Sequence, residues 1–149
     1  MSEARGARPQ SVEDFRTLLE RIPYCKFLGI TVDPRDDGGL LARLRFDQRI
    51  VGNAMLPAIH GGVIGAFLET AAILELVHQV PGAELPKTID ITIAYLRSAR
   101  ATDVLARTWV TKHGRRIANV RVEAWQDDPE RPIATAQGHF LMLPDEREA

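Results

Sequence analysis

The chain has 149 residues, of which 45% are hydrophobic and 26% are charged, and its formal net charge is -1. This length fits one domain, the apolar share is sufficient for a core, and the near-zero charge argues against a protein that coats nucleic acid. A single cysteine, Cys25, cannot form an internal disulfide, which agrees with a reducing compartment. We therefore expect one cytoplasmic globular domain.

The ends of the chain are polar. Residues 1–10 carry charges but no apolar segment of the kind that a secretory signal needs, so we expect a flexible arm there. A single domain is predicted over residues 11–143, followed by a polar tail over residues 144–149. Glu69 and Glu75 interrupt the longest apolar run, and we expect no membrane-spanning segment.

The first third of the chain predicts a short helix and a hairpin. Ser11 can cap an amphipathic helix that ends at Pro23. Two β-like segments follow, Phe27–Asp33 and Leu40–Phe46, and the turn between them is rich in Asp, Pro and Gly. We interpret Asp47–Ile59 as an irregular loop.

The longest helix candidate covers about His60–Val80. Apolar residues surround it on nearly every side, and a helix of that kind is normally buried all round. The rest of the fold must then wrap this helix.

Four segments of β type follow the Pro81-Gly82 break. They are Lys87–Arg97, Asp103–Lys112, Arg116–Trp125 and Ile133–Leu143. Short connections between them predict an antiparallel meander. The whole order predicts an α+β fold, in which a curved antiparallel sheet of about six strands wraps one long central helix, with a short N-terminal helix before it. Unpaired sheet edges invite a second copy, so we expect a homodimer at least.

The sharpest local signal is Asn53, then His60-Gly61-Gly62, then Glu69. Backbone N–H groups that open a helix have no internal acceptors, so Gly61 and Gly62 could present donors to an oxyanion. One such donor stabilises a tetrahedral intermediate of acyl transfer by about 2.7–4 kcal/mol. The structural alternatives stay open: His60 as a capping group and Asn53 as a turn residue.

Two acids on the long helix differ in their surroundings. Glu69 has no polar partner at helical spacing, whereas Glu75 shares a polar stripe with His78 and Gln79. We therefore expect Glu69 to be buried and Glu75 to be the solvated acid. A carboxylate in apolar surroundings is tolerated where it must act as a base or a nucleophile. The alternatives for Glu69 are an exposed gap or a pair with an arginine of the sheet.

Other catalytic motifs are missing from the sequence. The histidines and Cys25 show no metal-ligand spacing, so we expect no metal site and no cofactor. Neither a G-x-S-x-G motif nor a glycine-rich nucleotide-binding motif is present.

The region from Lys87 to Arg121 has more basic than acidic residues, which suits a phosphate-bearing ligand. An ordinary solvated strand face is the alternative for part of this set. The candidate phosphate contacts are Arg97, Arg100, Lys112, Arg115 and Arg116.

These motifs, together with the downstream segments TIDITIAYLRSA and ATAQGHFLML, resemble the hotdog-fold acyl-CoA thioesterases of the PaaI-like type. The resemblance implies that the backbone N–H of Gly61 polarises a thioester carbonyl, and that Glu69 activates water or attacks the carbonyl. It implies that Asn53 helps to hold the thioester and that the Thr88 hydroxyl helps to place the water. We expect His60 to orient the thioester together with Asn53.

A second branch of this family uses a hydroxyl one helical turn after the acid. Ile73 stands at that position here, so the chain resembles the branch that uses Thr88. Asn53 lies seven residues before His60, where the family pattern has six. The family also implies that the glycine of one subunit faces the acid of the other, within a homodimer that further pairs as a dimer of dimers.

The expected activity is hydrolysis of an acyl-CoA or aryl-CoA thioester, with neither nucleic acid nor a membrane as partner. One alternative is a non-catalytic hotdog module that binds acyl-CoA or a similar metabolite. Another is a dehydratase or hydratase on the same fold, although the Asp/His or His/Glu pair usual in those enzymes is not found.

Overall fold

A computed structural model of the chain describes residues 9–80 and 84–143. Most of the predicted N-terminal arm, the Pro81-Gly82 break and the predicted polar tail lie outside the described residues.

Two short helices open the described part. Helix α1, Val12–Arg21, is capped as predicted, because the Ser11 hydroxyl accepts a hydrogen bond from the Asp14 backbone N–H at 3.1 Å. Pro23 then starts a second helix, α2, which runs to Leu28 and ends at Gly29 with a left-handed φ of 77°. Proline suits the first position of a helix and glycine the position after its end. The predicted strand start at Phe27 is therefore wrong.

Six strands form one antiparallel sheet: β1 (Ile30–Pro34), β2 (Leu40–Leu44), β5 (Lys87–Tyr95), β6 (Val104–His113), β7 (Ile117–Trp125) and β8 (Ala134–Leu141). Strands β3 (Val51–Asn53) and β4 (Ala58–Ile59) pair in a separate small hairpin, preceded by a 3-10 turn over Gln48–Ile50. The segment predicted as an irregular loop is therefore partly regular.

The strand order is β1-β2-β6-β7-β8-β5. The predicted meander is wrong for β5, which pairs with β8 at the edge of the sheet instead of with β6. Residues 96–103 carry the chain back to the centre. The Ile133 carbonyl accepts from the N–H groups of Leu96 and Arg97, at 2.8 and 3.1 Å, and the Ile59 N–H donates to Ala99. These hydrogen bonds hold the connection from β5 to β6 in place, where the predicted meander would have had a tight turn.

The central helix, α3 (Gly61–Gln79), lies against the inner face of this sheet, with His60 and Val80 as its caps. Phe67, Leu68 and Leu76 are fully buried on its core side. The prediction that this helix is buried all round is wrong for the single chain, because a sheet of six strands covers only part of it. One face remains half-buried, and we call it the open stripe: Ala66, Glu69, Thr70, Ile73 and Val77.

By length and composition alone α3 could cross a membrane, contrary to the expectation from the sequence. Its packing against the sheet identifies it as the core helix of this fold. The predicted α+β class, six-stranded antiparallel sheet and central helix are confirmed.

Candidate active site

The two glycines that open α3 use their N–H groups differently. The N-cap residue is His60, whose Nδ1 accepts a hydrogen bond from the Gly62 N–H at 2.9 Å. Within the described residues the Gly61 N–H has no acceptor. This N–H lies at the positive end of the helix dipole. Of the two predicted donors, Gly61 is available to a ligand, while the N–H of Gly62 is already occupied.

The contacts of His60 also determine its tautomer. Because Nδ1 accepts a hydrogen bond, the neutral imidazole carries its proton on Nε2. The backbone N–H of His60 donates to Ile50 at 2.8 Å. Gly52 of β3 lies directly against it, since a Cβ at Gly52 would be only 2.6 Å from the His60 Cα. The small hairpin thus needs a glycine there to hold His60 in place.

Glu69 lies on the open stripe of α3. The Thr88 hydroxyl of β5 donates to its Oε1 at 2.8 Å, and both side chains are half-buried. The other carboxylate oxygen has no partner among residues 9–80 and 84–143. The expected full burial of Glu69 among apolar groups is therefore not found within one chain, because its side of α3 is the side that the sheet leaves uncovered.

One chain does not bring Glu69 and Gly61 together. With a rise of 1.5 Å per residue, the two positions are about 12 Å apart along the helix axis. A small group bound at the Gly61 N–H is therefore beyond the reach of the same chain's carboxylate.

Asn53 occupies a turn. Its Oδ1 accepts from the backbone N–H groups of Met55 and Leu56, at 3.0 and 3.3 Å. This is the structural role that the sequence left open as an alternative. A role of Asn53 in holding a ligand stays a prediction.

Glu75 was expected to be solvated, and that expectation is wrong. Its side chain is 1% exposed. Its oxygens accept from the Leu40 N–H at 2.9 Å and from the Gln79 amide at 2.7 Å, and the Arg35 guanidinium lies 3.9 Å away. The turn between β1 and β2 folds over this end of α3 and covers Glu75, while His78 is half-buried and Gln79 is exposed. Pattern along the helix could not reveal that, because the covering residues are about 35 positions earlier in the chain.

A cavity of about 380 Å³, with both polar and apolar lining, opens beside Gly61. Ile64, Tyr95, Leu96 and Ile133 contribute to its lining. Sequence reasoning used the strand that contains Tyr95 for the family resemblance but gave Tyr95 no role in the site. Its hydroxyl donates to the Gly61 carbonyl at 2.8 Å. No spacing rule links a strand end to a helix start 34 residues away, so the sequence carried no signal for this contact.

The candidate phosphate contacts lie at opposite ends of the sheet. One group, Lys112, Arg115 and Arg116, flanks the β6–β7 turn, and the other, Arg97 and Arg100, follows the end of β5. A strand of the length of β6 separates the two ends by about 30 Å. Arg100 forms an ion pair with Asp127, whereas the other four have no acidic partner in the described part of the chain. A single chain therefore offers two small basic groups and not one patch.

Cys25 is buried in α2, and burial raises the pKa of its thiol. It is not a candidate nucleophile. Over the described ranges, no three of His, Cys, Asp and Glu lie close enough together to hold a metal ion.

Comparison with known proteins gives consistent matches. A family model described as the thioesterase superfamily matches residues 56–133, about half of the chain. YigI of Salmonella typhimurium, a medium/long-chain acyl-CoA thioesterase, is 29% identical over 140 residues, covering 84% of this chain and 88% of YigI. A crystal structure from Chromobacterium violaceum is 36% identical, with a TM-score of 0.73 and 90% and 92% of the two chains covered. A thioesterase from Haemophilus influenzae, 20% identical, has the same fold, with a TM-score of 0.80 over 91% and 92%.

Proposed function

This chain belongs to the thioesterase superfamily, and from that premise we propose that it hydrolyses acyl-CoA or aryl-CoA thioesters to the free acid and CoA. The observation that carries the proposal is that two groups with unused hydrogen-bonding capacity lie along the unpaired edge strand β5. A carboxylate with an unused oxygen, Glu69, lies near one end of β5, and an unused helix-start donor, Gly61, lies near the other.

The two edges of the sheet differ in how they are protected. At β1, Arg16 of α1 donates to the Val32 carbonyl at 2.9 Å and forms an ion pair with Asp33. At β5, the only neighbouring strand in the described part is β8, so its outer backbone groups are unpaired. An unpaired edge strand is a template for another chain. This supports a homodimer that forms through β5.

Antiparallel pairing of two β5 strands gives each acid a partner. Glu69 contacts Thr88 near the start of β5, and Gly61 contacts Tyr95 at its end. A two-fold axis near Ile91, the middle of the strand, therefore directs Glu69 of one subunit toward the helix start of the other. In this arrangement the acid and the donor of one site come from different subunits, so the distance between Glu69 and Gly61 within one chain no longer matters. The second subunit also covers the open stripe of α3.

The chemistry then divides among the predicted residues. The Gly61 N–H would stabilise the oxyanion as the thioester carbonyl becomes tetrahedral. Glu69 would take a proton from water as the water attacks and pass it to the sulfur of CoA. In the alternative route Glu69 attacks the carbonyl, the C–S bond breaks, and water hydrolyses the mixed anhydride to the free acid. Thr88 would orient the carboxylate or the water. The protonated Nε2 of His60 and the amide of Asn53 would hold the thioester. CoA leaves as the thiol once its sulfur is protonated.

The proposed substrate has an acyl or aryl part and a phosphorylated part, and the chain offers a binding region for each. The cavity beside Gly61 suits an acyl or aryl group, and the similarity to YigI favours medium to long acyl chains. Antiparallel pairing also brings the Lys112 group of one subunit to the same end as Arg97 of the other, where CoA phosphates would bind. We extend the proposal to a dimer of dimers located in the cytoplasm.

The test is thiol release from a panel of acyl-CoA and aryl-CoA thioesters by wild-type protein and by Glu69→Gln. Removing a general base lowers kcat by about 100-fold or more, so the variant should be nearly inactive while it melts like wild type. Near-parental turnover by Glu69→Gln would contradict the assignment. Binding of acyl-CoA without thiol release would identify a binding module, and a hydrated product from an enoyl-CoA would identify a hydratase.

A further inference from the structure

We propose that Tyr95 is a positioning residue that fixes the first peptide groups of α3 and so holds the Gly61 N–H in its catalytic direction. This inference rests on the proposed function, because it assigns a task to a residue that supports the oxyanion donor. Tyr95 acts through the helix start and need not contact the reacting atoms.

The helix start needs such support because it consists of two glycines. Glycine has more backbone freedom than any other residue, and the first turn of a helix lacks part of its hydrogen bonding. An oxyanion donor is effective only when it is already aimed before the charge develops. A Gly-Gly start without further contacts would lose part of that advantage.

Hydrogen bonds hold the two peptide groups on either side of Gly61. In the peptide between Gly61 and Gly62, the carbonyl accepts from the Tyr95 hydroxyl at 2.8 Å, and the N–H donates to His60 at 2.9 Å. In the preceding peptide, the His60 carbonyl accepts from the N–H groups of Val63 and Ile64, at 3.0 and 3.2 Å. The two torsions of Gly61 that join these peptides are therefore restrained. In the described part of the chain, Tyr95 supplies the one hydrogen bond to these peptides that comes from outside residues 60–65.

Glycines on α3 also make room for the tyrosine ring. Gly61 and Gly65 lie one turn apart on the same face. A Cβ at Gly61 would contact the Tyr95 ring at 3.5 Å, and a Cβ at Gly65 would lie 3.4 Å from its hydroxyl and 3.0 Å from the Cδ1 of Ile93. The bare helix face thus allows β5 to bring the hydroxyl to the Gly61 carbonyl.

The same contact supports His60. A hydrogen bond at a peptide carbonyl polarises that peptide and strengthens the bond made by its N–H. The Tyr95 hydroxyl therefore reinforces the bond from Gly62 to the Nδ1 of His60, which keeps the imidazole proton on Nε2. One hydroxyl thus stabilises two of the groups that are proposed to meet the thioester, the Gly61 N–H and His60.

The experiment compares Tyr95→Phe with Tyr24→Phe. The chain has two tyrosines, and within a single chain their exposed fractions are similar, at 55% for Tyr95 and 57% for Tyr24. Each variant loses one oxygen atom and keeps its ring. We expect Tyr95→Phe to lower kcat by about 10-fold, less than the loss of a whole oxyanion donor, with KM within about twofold. Tyr24→Phe should match wild type in kcat, KM and melting temperature.

Amide hydrogen exchange gives a readout that does not depend on turnover. In Tyr95→Phe the Gly62 amide should exchange about 10-fold faster than in wild type or in Tyr24→Phe, because its peptide then keeps only the hydrogen bonds made within α3 and its N-cap and loses the one from β5. Unchanged exchange at Gly62, or an unchanged kcat in an active enzyme, would overturn the inference. A raised KM at constant kcat would also overturn it, since Tyr95 would then be a substrate contact. A wild-type protein that cleaves no thioester would instead refute the proposed function, and the exchange data would still decide the role of Tyr95.

Discussion

The two halves of α3 carry one acid each, and the fold treats these acids in opposite ways. Glu75, in the second half, is 1% exposed, and both of its oxygens accept hydrogen bonds. Glu69, in the first half, is half-buried, and its one described hydrogen bond comes from Thr88. A buried acid with a full set of partners serves the structure, whereas an acid with unused capacity at an open edge is available for chemistry.

The largest expected effect on kcat comes from removing the Gly61 N–H at the start of α3. Gly61→Pro deletes the N–H at the first helical position, where proline fits, and the φ of -58° and ψ of 131° at His60 suit a residue before proline. Loss of one oxyanion donor should lower kcat by about 100- to 1000-fold. Gly61→Ala keeps the N–H, and its methyl group would make only an ordinary contact with Tyr95, so it should retain most activity. Equal losses in the two variants would show that the N–H is not the donor.

The second effect is a loss of stability and concerns Glu75, in the second half of α3. Glu75→Gln replaces a buried carboxylate that binds the Leu40 N–H and the Gln79 amide, and it should reduce the free energy of unfolding by about 1–3 kcal/mol. Urea denaturation measures this, and kcat per folded molecule should stay at the wild-type value. Glu69→Gln is the matched control, since the same chemical change should there abolish turnover and leave stability unchanged. A loss of turnover in Glu75→Gln at unchanged stability would contradict the assignment of Glu75 as the structural acid and Glu69 as the catalytic one.

A smaller effect is expected at Thr88. Thr88→Val keeps the shape of the side chain and removes the hydroxyl that donates to Glu69 at 2.8 Å. A hydrogen bond to a charged group is worth about 1.5–3 kcal/mol, part of which persists when water takes over, so kcat should fall about 5- to 20-fold. Thr88→Ser should recover most of the activity. If Ser and Val behave alike, the hydroxyl has no part in catalysis.

The smallest effect concerns the turn that covers the Glu75 end. Hydrogen bonds from Arg35 and from the Gly39 backbone hold the pKa of Asp37 at about 2, against 3.8 for the unperturbed group. Because the folded-state pKa is the lower one, the stabilisation by Asp37 is present above pH 3.8 and is lost as the pH falls toward 2. The difference in urea midpoint between wild type and Asp37→Asn should therefore shrink over that window. A difference that does not depend on pH would contradict this account.

Much of the fold was predictable because the patterns that determine it are local. The Ser11 cap, the bounds of α3 and the β segments follow from spacing and from capping residues within a few positions. Helix α2 was missed because Pro23 was interpreted as the end of a helix, although proline equally suits a beginning.

The errors that matter for function arise from contacts between distant segments. The position of β5 beside β8 depends on a crossing connection, and the burial of Glu75 depends on the turn between β1 and β2. Helical periodicity predicted a buried Glu69 and a solvated Glu75, and this was wrong, because periodicity cannot determine which face the rest of the chain covers. The open stripe with Glu69 is a property of the assembled sheet.

The central claim is that each site takes its carboxylate from one subunit and its oxyanion donor from the other. Mixed dimers of Glu69→Gln and Gly61→Pro, isolated with two different affinity tags, test it directly. Each mixed dimer then has one site with both lesions and one with neither, so it should recover about half of the wild-type kcat per dimer. Activity no higher than that of the two parent variants would show that both groups serve the same chain.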